Sequence, residues 1–140
     1  MIDPSTGDLI FAPSVHVRSS DELENVAALA LGESHQVQDM GTGWKWLRAQ
    51  NVRVGEHYFL VGFAFCNNRL KQVHLVFSPT RFELPSDWDT WSESAEQQRL
   101  GEYQQWVHDE LGRAGRFSWG TVEAEYDAKG GSSGIALRYE

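Results

Sequence analysis

Ten consecutive residues, His57 to Cys66, are apolar on both of their alternating sets, Tyr58/Leu60/Ala64 and Phe59/Val61/Phe63/Phe65. A strand with that pattern loses its driving force unless both faces are covered, so it predicts a central position in a sheet. Asn67-Asn68 then supplies tight-turn chemistry, and Leu70 to Phe77 follows with Val73, Leu75 and Phe77 alternating with Gln72 and His74. Upstream, Trp44-Lys45-Trp46-Leu47-Arg48-Ala49 has strand propensity and predicts a strand running to Val54. These three segments predict an antiparallel meander.

The flanks complete the pattern. Asp3-Pro4-Ser5-Thr6-Gly7-Asp8 is turn chemistry, after which Leu9-Ile10-Phe11 and Val15-His16-Val17-Arg18 read as two short strands separated at Pro13. A helix is predicted from about Ser20 to Leu31: Ser19 or Ser20 is the N-cap, Glu22 completes a capping box, and Gly32 is the stop. Its apolar face is Leu23, Val26, Ala27, Ala30 and Leu31. Glu33 to Gly43 is polar and punctuated by glycine, and reads as a loop. Beyond Pro79 and Pro85, Trp88 to Leu111 has helical spacing through Trp91, Ala95, Leu100, Tyr103, Trp106, Val107 and Leu111. Thr121–Asp127 and Ile135–Tyr139 form a closing hairpin around a glycine- and serine-rich turn. The predicted order is ββαβββαββ, an α+β fold with a mixed, mainly antiparallel sheet and two helices packed on it.

With 140 residues the chain matches one domain, spanning 1–140, and no repeat or linker divides it. A hydrophobic fraction of 41% supports one core without metal, cofactor or disulfide. Residues 1–7 have neither a basic nor an apolar signal region, no stretch is long and apolar enough to span a membrane, and Cys66 is unpaired; the expectation is a cytoplasmic protein. The net charge of −8 argues against nucleic acid and anionic membranes as partners and favours a basic protein.

The sequence shows no catalytic or metal-binding pattern. His16, His35, His57, His74 and His108 lack a second ligand at metal spacing, and His108-Asp109-Glu110 point to different helix faces. Cys66 reads as an inert core thiol. The glycine-rich turn from Gly130 to Gly134 leads into a strand rather than a phosphate-binding helix.

Charge is distributed unevenly. From Glu83 to Glu110 the acids Glu83, Asp87, Asp89, Glu93, Glu96, Glu102, Asp109 and Glu110 face only Arg99, so this segment carries −7 of the total. Trp88, Trp91, Tyr103 and Trp106 are interleaved with them, as on a surface that docks a basic partner. The plainer alternative places Trp91, Tyr103 and Trp106 in the core, with the acids on the helix's solvated back. The candidate partner-binding residues are Asp87, Trp88, Asp89, Glu93 and Glu96.

Two stretches carry a resemblance: Asp3-x-x-Thr6-Gly7-x-Leu9-x-Phe11, and Ser118-Trp119-Gly120 followed by Tyr126-Asp127-x-Lys129-Gly130-Gly131-Ser132-Ser133-Gly134-Ile135-x-x-x-Tyr139. In these the chain resembles small acidic bacterial immunity proteins encoded beside polymorphic toxins of Rhs, contact-dependent or type VI secretion systems. The resemblance implies a non-enzymatic inhibitor of a cognate, cytosol-acting toxin, blocking its active site or substrate groove. Two other readings remain open on the residues: a small-ligand domain in which Trp44, Trp46 and Trp119 enclose an apolar pocket, and an enzyme pairing His74 with Glu123 or Asp127.

Overall fold

A computed structural model describes residues 2–19, 21–81, 93–127 and 132–139. Its centre is the predicted meander. Strands β4 (Trp44–Val54), β5 (His57–Cys66) and β6 (Arg69–Ser78) pair antiparallel, with Phe63 in register with Leu47 on one side and Val73 on the other. Asn67 and Asn68 form the two-residue turn with φ of 52° and 65°, the left-handed pair that matches strand twist in the tightest hairpins. The remaining strands are β1 (Leu9–Ala12), β2 (Val15–Val17), β3 (Ser34–Asp39), β7 (Gly115–Phe117), β8 (Gly120–Asp127) and β9 (Ser132–Tyr139). Seven of them form one sheet in the order β3-β4-β5-β6-β9-β8-β7, and β1 and β2 form a separate two-stranded sheet. The described pairings are antiparallel throughout, so the mixed sheet predicted from sequence is corrected.

Two of these strands were not expected. Residues 34–39, read as loop, form β3 and pair continuously with β4 around the Gly41-Thr42-Gly43 connection. Residues 115–117 form β7, a short edge beside β8. Both lie at sheet margins, where burial no longer imposes a period of two on the residues.

Helix α1 is shorter than predicted, Leu23–Ala28 instead of 20–31. Its N-cap is Glu22, whose N–H donates to Asn25 Oδ1 at 3.0 Å. The preceding residues have other obligations. Arg18 N–H donates to the Asp21 carboxylate, Asp21 C=O accepts from Leu70 N–H, and Glu22 bridges Arg69, so the helix begins only after this contact with β6. At the other end Ala30 and Gly32 take φ of 50° and 74° and end the helix early.

Helix α2 (Glu93–Leu111) crosses the sheet against β8 and β9. Tyr103 and Val107, four residues apart, are buried; the Tyr103 hydroxyl donates to Phe77 C=O at 3.4 Å, and Trp106 packs on Phe59 and Phe77. Together with β1, β2 and Val26 of α1, α2 covers one face of the sheet, burying Leu47, Ala49, Phe59, Val61, Phe63, Val73, Leu75, Val122, Ile135 and Leu137. Cys66, expected in the core, is only half-buried, because it ends β5 at the Asn67-Asn68 turn.

Candidate partner-binding surface

Because side chains alternate along a strand, the residues between those core positions emerge on the other face of the sheet. There Trp46 and Arg48 of β4 lie opposite Ala64 and Gly62 of β5; His74 of β6 lies opposite Gly62, and Arg138 of β9 lies opposite Gln72. Gly62 contributes no side chain at the middle of this face. The gap is a depression of about 330 Å³, lined by Trp46, Arg48, Leu60, Gly62, His74 and Val76. The Trp46 ring leans over it, so that a Cβ at position 62 would stand 3.3 Å from a ring carbon. This face was expected to be covered, yet Tyr58, Leu60 and Gly62 are only half-buried. Among the described residues the helices, one of them only six residues long, contribute Val26, Tyr103 and Val107 to the core on the opposite side of the seven-stranded sheet.

The rim is polar and fixed. The Arg48 guanidinium lies 5.3 Å from the Trp46 ring centroid and donates to Gln38 Oε1 at 2.6 Å. His74 meets Trp46 edge-on, with ring centroids 5.3 Å apart. Across the strands, Arg138 grips Glu125 with two hydrogen bonds, 2.8 and 3.2 Å. Partial desolvation of the ring lowers the His74 pKa below the ordinary imidazole value; the positive Arg138 adds to this, the Glu125 carboxylate opposes it, and Arg48 adds a little more. The neutral imidazole is therefore favoured over the imidazolium on this face. The arrangement offers an aromatic shelf with an arginine at its edge, chemistry suited to an apolar side chain on Trp46 and an acceptor group on Arg48.

Hydrogen bonds from Arg138 hold the Glu125 carboxyl below its usual value of 4.5, against a partial cost from burial. The folded carboxylate thus titrates lower than the unfolded one. The pair's stabilisation is complete above the ordinary carboxylate value and is lost as pH falls through the folded-state value. Both side chains are 41% exposed, so the effect is small. Glu125→Gln is expected to cost no more than about 0.5 kcal/mol at pH 7 and to flatten the acid limb of stability, as read by urea melts at pH 7 and in mild acid.

Asp87, Trp88 and Asp89 lie outside the described residues, as does Trp91. Glu93 and Glu96 are on the first turns of α2, their side chains outside the description. In the described part of that helix Tyr103 and Trp106 turn inward while Glu102 and Asp109 are exposed, as the plainer alternative had it. Arg81, where the described chain stops before α2, binds Glu33 through Nε at 2.7 Å and Nη2 at 2.6 Å.

The tryptophans proposed to enclose one pocket do not meet. Trp119 stands at the far end of the sheet, stacked on Phe117 and tilted on Tyr139, with its Nε1 donating to Pro4 C=O at 2.9 Å. It pins the N-terminal turn, where the Tyr139 hydroxyl also donates to Gly7 C=O at 2.8 Å. His74 and Glu123 do share the outer face, in register through Ala136, but the charges felt at His74 are those of Arg138, Glu125 and Arg48. No group of three or more His, Cys, Asp or Glu positioned to hold a metal occurs among the described residues, and none of the described helices is long and apolar enough to cross a membrane.

No protein-family model matches the sequence, and no curated protein matches it. Among solved structures, the fold is similar to a chain of one described as Rhs1-CT in complex with cognate immunity protein RhsI1. The TM-score is 0.55 at 14% identity, and the match covers 99% of this chain and 86% of that one.

Proposed function

We propose that this chain is an immunity protein, which binds a cognate toxin domain in the cytoplasm and blocks its active site or substrate groove without catalysing a reaction. The observation that carries this reading is the fold likeness to a chain of the Rhs1-CT complex with RhsI1, which extends over 99% of this chain. The residue patterns at Asp3–Phe11 and Ser118–Tyr139 support it from sequence. A net charge of −8, nearly all of it between Glu83 and Glu110, suits a partner with a basic cleft, such as an enzyme that acts on nucleic acid or nucleotides.

Within this reading Asp87, Trp88, Asp89, Glu93 and Glu96 form the electrostatic contact with the toxin. Clustered carboxylates raise the rate of encounter with a positive partner, whereas desolvated aromatic anchors slow its departure. The Trp46 shelf is of the second kind. The test is co-expression with the toxin domain encoded next to this chain's gene, scored by growth and by binding kinetics of the purified pair. Reversing Asp89, Glu93 and Glu96 to lysine is expected to slow association about tenfold or more at low salt and to restore toxicity. Trp46→Ala is the comparison: faster dissociation in that variant assigns the contact to the sheet face. Unchanged kinetics in the charge-reversed variant remove the acidic site, and failure of the wild-type chain to bind removes the immunity reading.

A further inference from the structure

We propose that two copies of this chain associate edge to edge through their β3 strands, antiparallel about a two-fold axis at Val37. Strand β3 is one margin of the seven-stranded sheet and pairs with β4 on one side. Met40 N–H donates to Trp44 C=O at 3.0 Å, which fixes the phase of this hairpin. Antiparallel alternation then directs the N–H and C=O of His35, Val37 and Asp39 away from β4. Residues 35–40 are all exposed, and Val37 and Met40, 50% and 47% accessible, are the exposed large hydrophobic residues of the described chain.

Edge strands that remain single are usually blunted by brevity, a bulge, a proline or an outward lysine. The opposite margin, β7, has three residues, with Arg116 at its centre. Strand β3 has six residues, no proline, lysine or arginine, and an unbroken register with β4 from Ser34 to Asp39. Among the described residues, no strand pairs with its outer edge.

The choice of a second copy as occupant comes from the order of the side chains. A two-fold interface must be complementary to itself. In His35-Gln36-Val37-Gln38-Asp39, an axis at Val37 places Val37 against Val37, Gln36 against Gln38, and His35 against Asp39. The last pair sets an imidazole N–H donor opposite a carboxylate acceptor, twice by symmetry. Gln38 Oε1 already accepts from Arg48 at 2.6 Å, which leaves its amide N–H groups to donate to Gln36 of the second copy. The outward-facing residues are also the ones the axis brings together as hydrogen-bonded pairs, so the backbone supplies about six N–H···O bonds. One strand pair buries less than the roughly 1,200 Å² of a standard interface, so the dimer forms in the micromolar to millimolar range.

The proposal is independent of the toxin reading and is tested without a toxin, by sedimentation velocity of the full chain from about 10 µM to about 500 µM. A reversible monomer–dimer equilibrium is expected. Val37→Lys sets like charges on the axis and is expected to weaken association at least about tenfold, with the thermal melt of the monomer unchanged at this exposed position. His35→Asp opposes two carboxylates and weakens the dimer, whereas the exchanged pair His35→Asp with Asp39→His recovers wild-type association to within about twofold. A chain that stays monomeric throughout, a Val37→Lys variant that dimerises like wild type, or an exchanged pair that fails to recover overturns the proposal.

Discussion

Phe63→Ala is expected to lower the melting temperature by about 10 °C or more and, under the proposed immunity function, to abolish protection in co-expression. Phe63 is fully buried at the centre of β5, in register with Leu47 and Val73, and meets Phe11 of β1 edge-on with centroids 6.3 Å apart. Truncation removes the transfer energy of the ring and leaves a cavity that the flanking strands, each hydrogen-bonded on both sides, cannot collapse into. Such losses run to about 3–5 kcal/mol, against a total stability of about 5–15 kcal/mol for a domain of this kind. Denaturant melts measure it directly, and a shift of only one or two degrees contradicts the placement of Phe63.

Gly120→Ala is expected to be of similar size for a different reason. Gly120 opens β8 at φ 156°, directly opposite Tyr139. A Cβ there would collide with the Arg138 carbonyl oxygen and press on Tyr139 Cα, both of them backbone atoms that no rotamer change can move. The strands must part at this point, which loosens Tyr139 and with it the hydrogen bond to Gly7 that holds the N-terminal turn. A cost of about 3 kcal/mol is expected, measurable by urea unfolding. In contrast, Gly101→Ala, on α2 with open space around it, is expected to be neutral or stabilising.

These two positions differ in how far sequence alone reveals them. The burial of Phe63 follows from the alternation along β5, and the Asn67-Asn68 turn, α2 and the C-terminal hairpin are equally legible, because each repeats a period or uses turn chemistry of one meaning. Strand β3 escapes that reasoning. With Val37 its only aliphatic residue and solvent on both faces, it lacks an alternating pattern, and the surviving signal is the pair of glycines at 41 and 43, spaced for a short hairpin loop.

The outer sheet face was half legible. Trp46 and His74 stand out in the sequence, and the polar residues Gln72, His74, Glu123, Glu125 and Arg138 alternate with core positions as a solvated face requires. The apolar outward set of β5 obscured this, since Leu60 and Tyr58 look like core until Gly62 is seen to open a space beside them. Trp44, Trp46 and Trp119 were grouped by residue type alone, and only the strand order shows that Trp46 and Trp119 stand near opposite margins. The acidic candidates rest on charge, a long-range property that sequence reports without saying which atoms carry the contact.

The one-sided covering of the sheet separates two kinds of selection. In β4, β6, β8 and β9 one set of alternate letters maintains the fold and the other faces outward, so Trp46, Arg48, His74 or Arg138 can be rewritten while Leu47, Val73 and Leu137 stay as they are. Divergence among such chains would then accumulate at every second position of the same strands. Overall identity would fall far while the scaffold persisted.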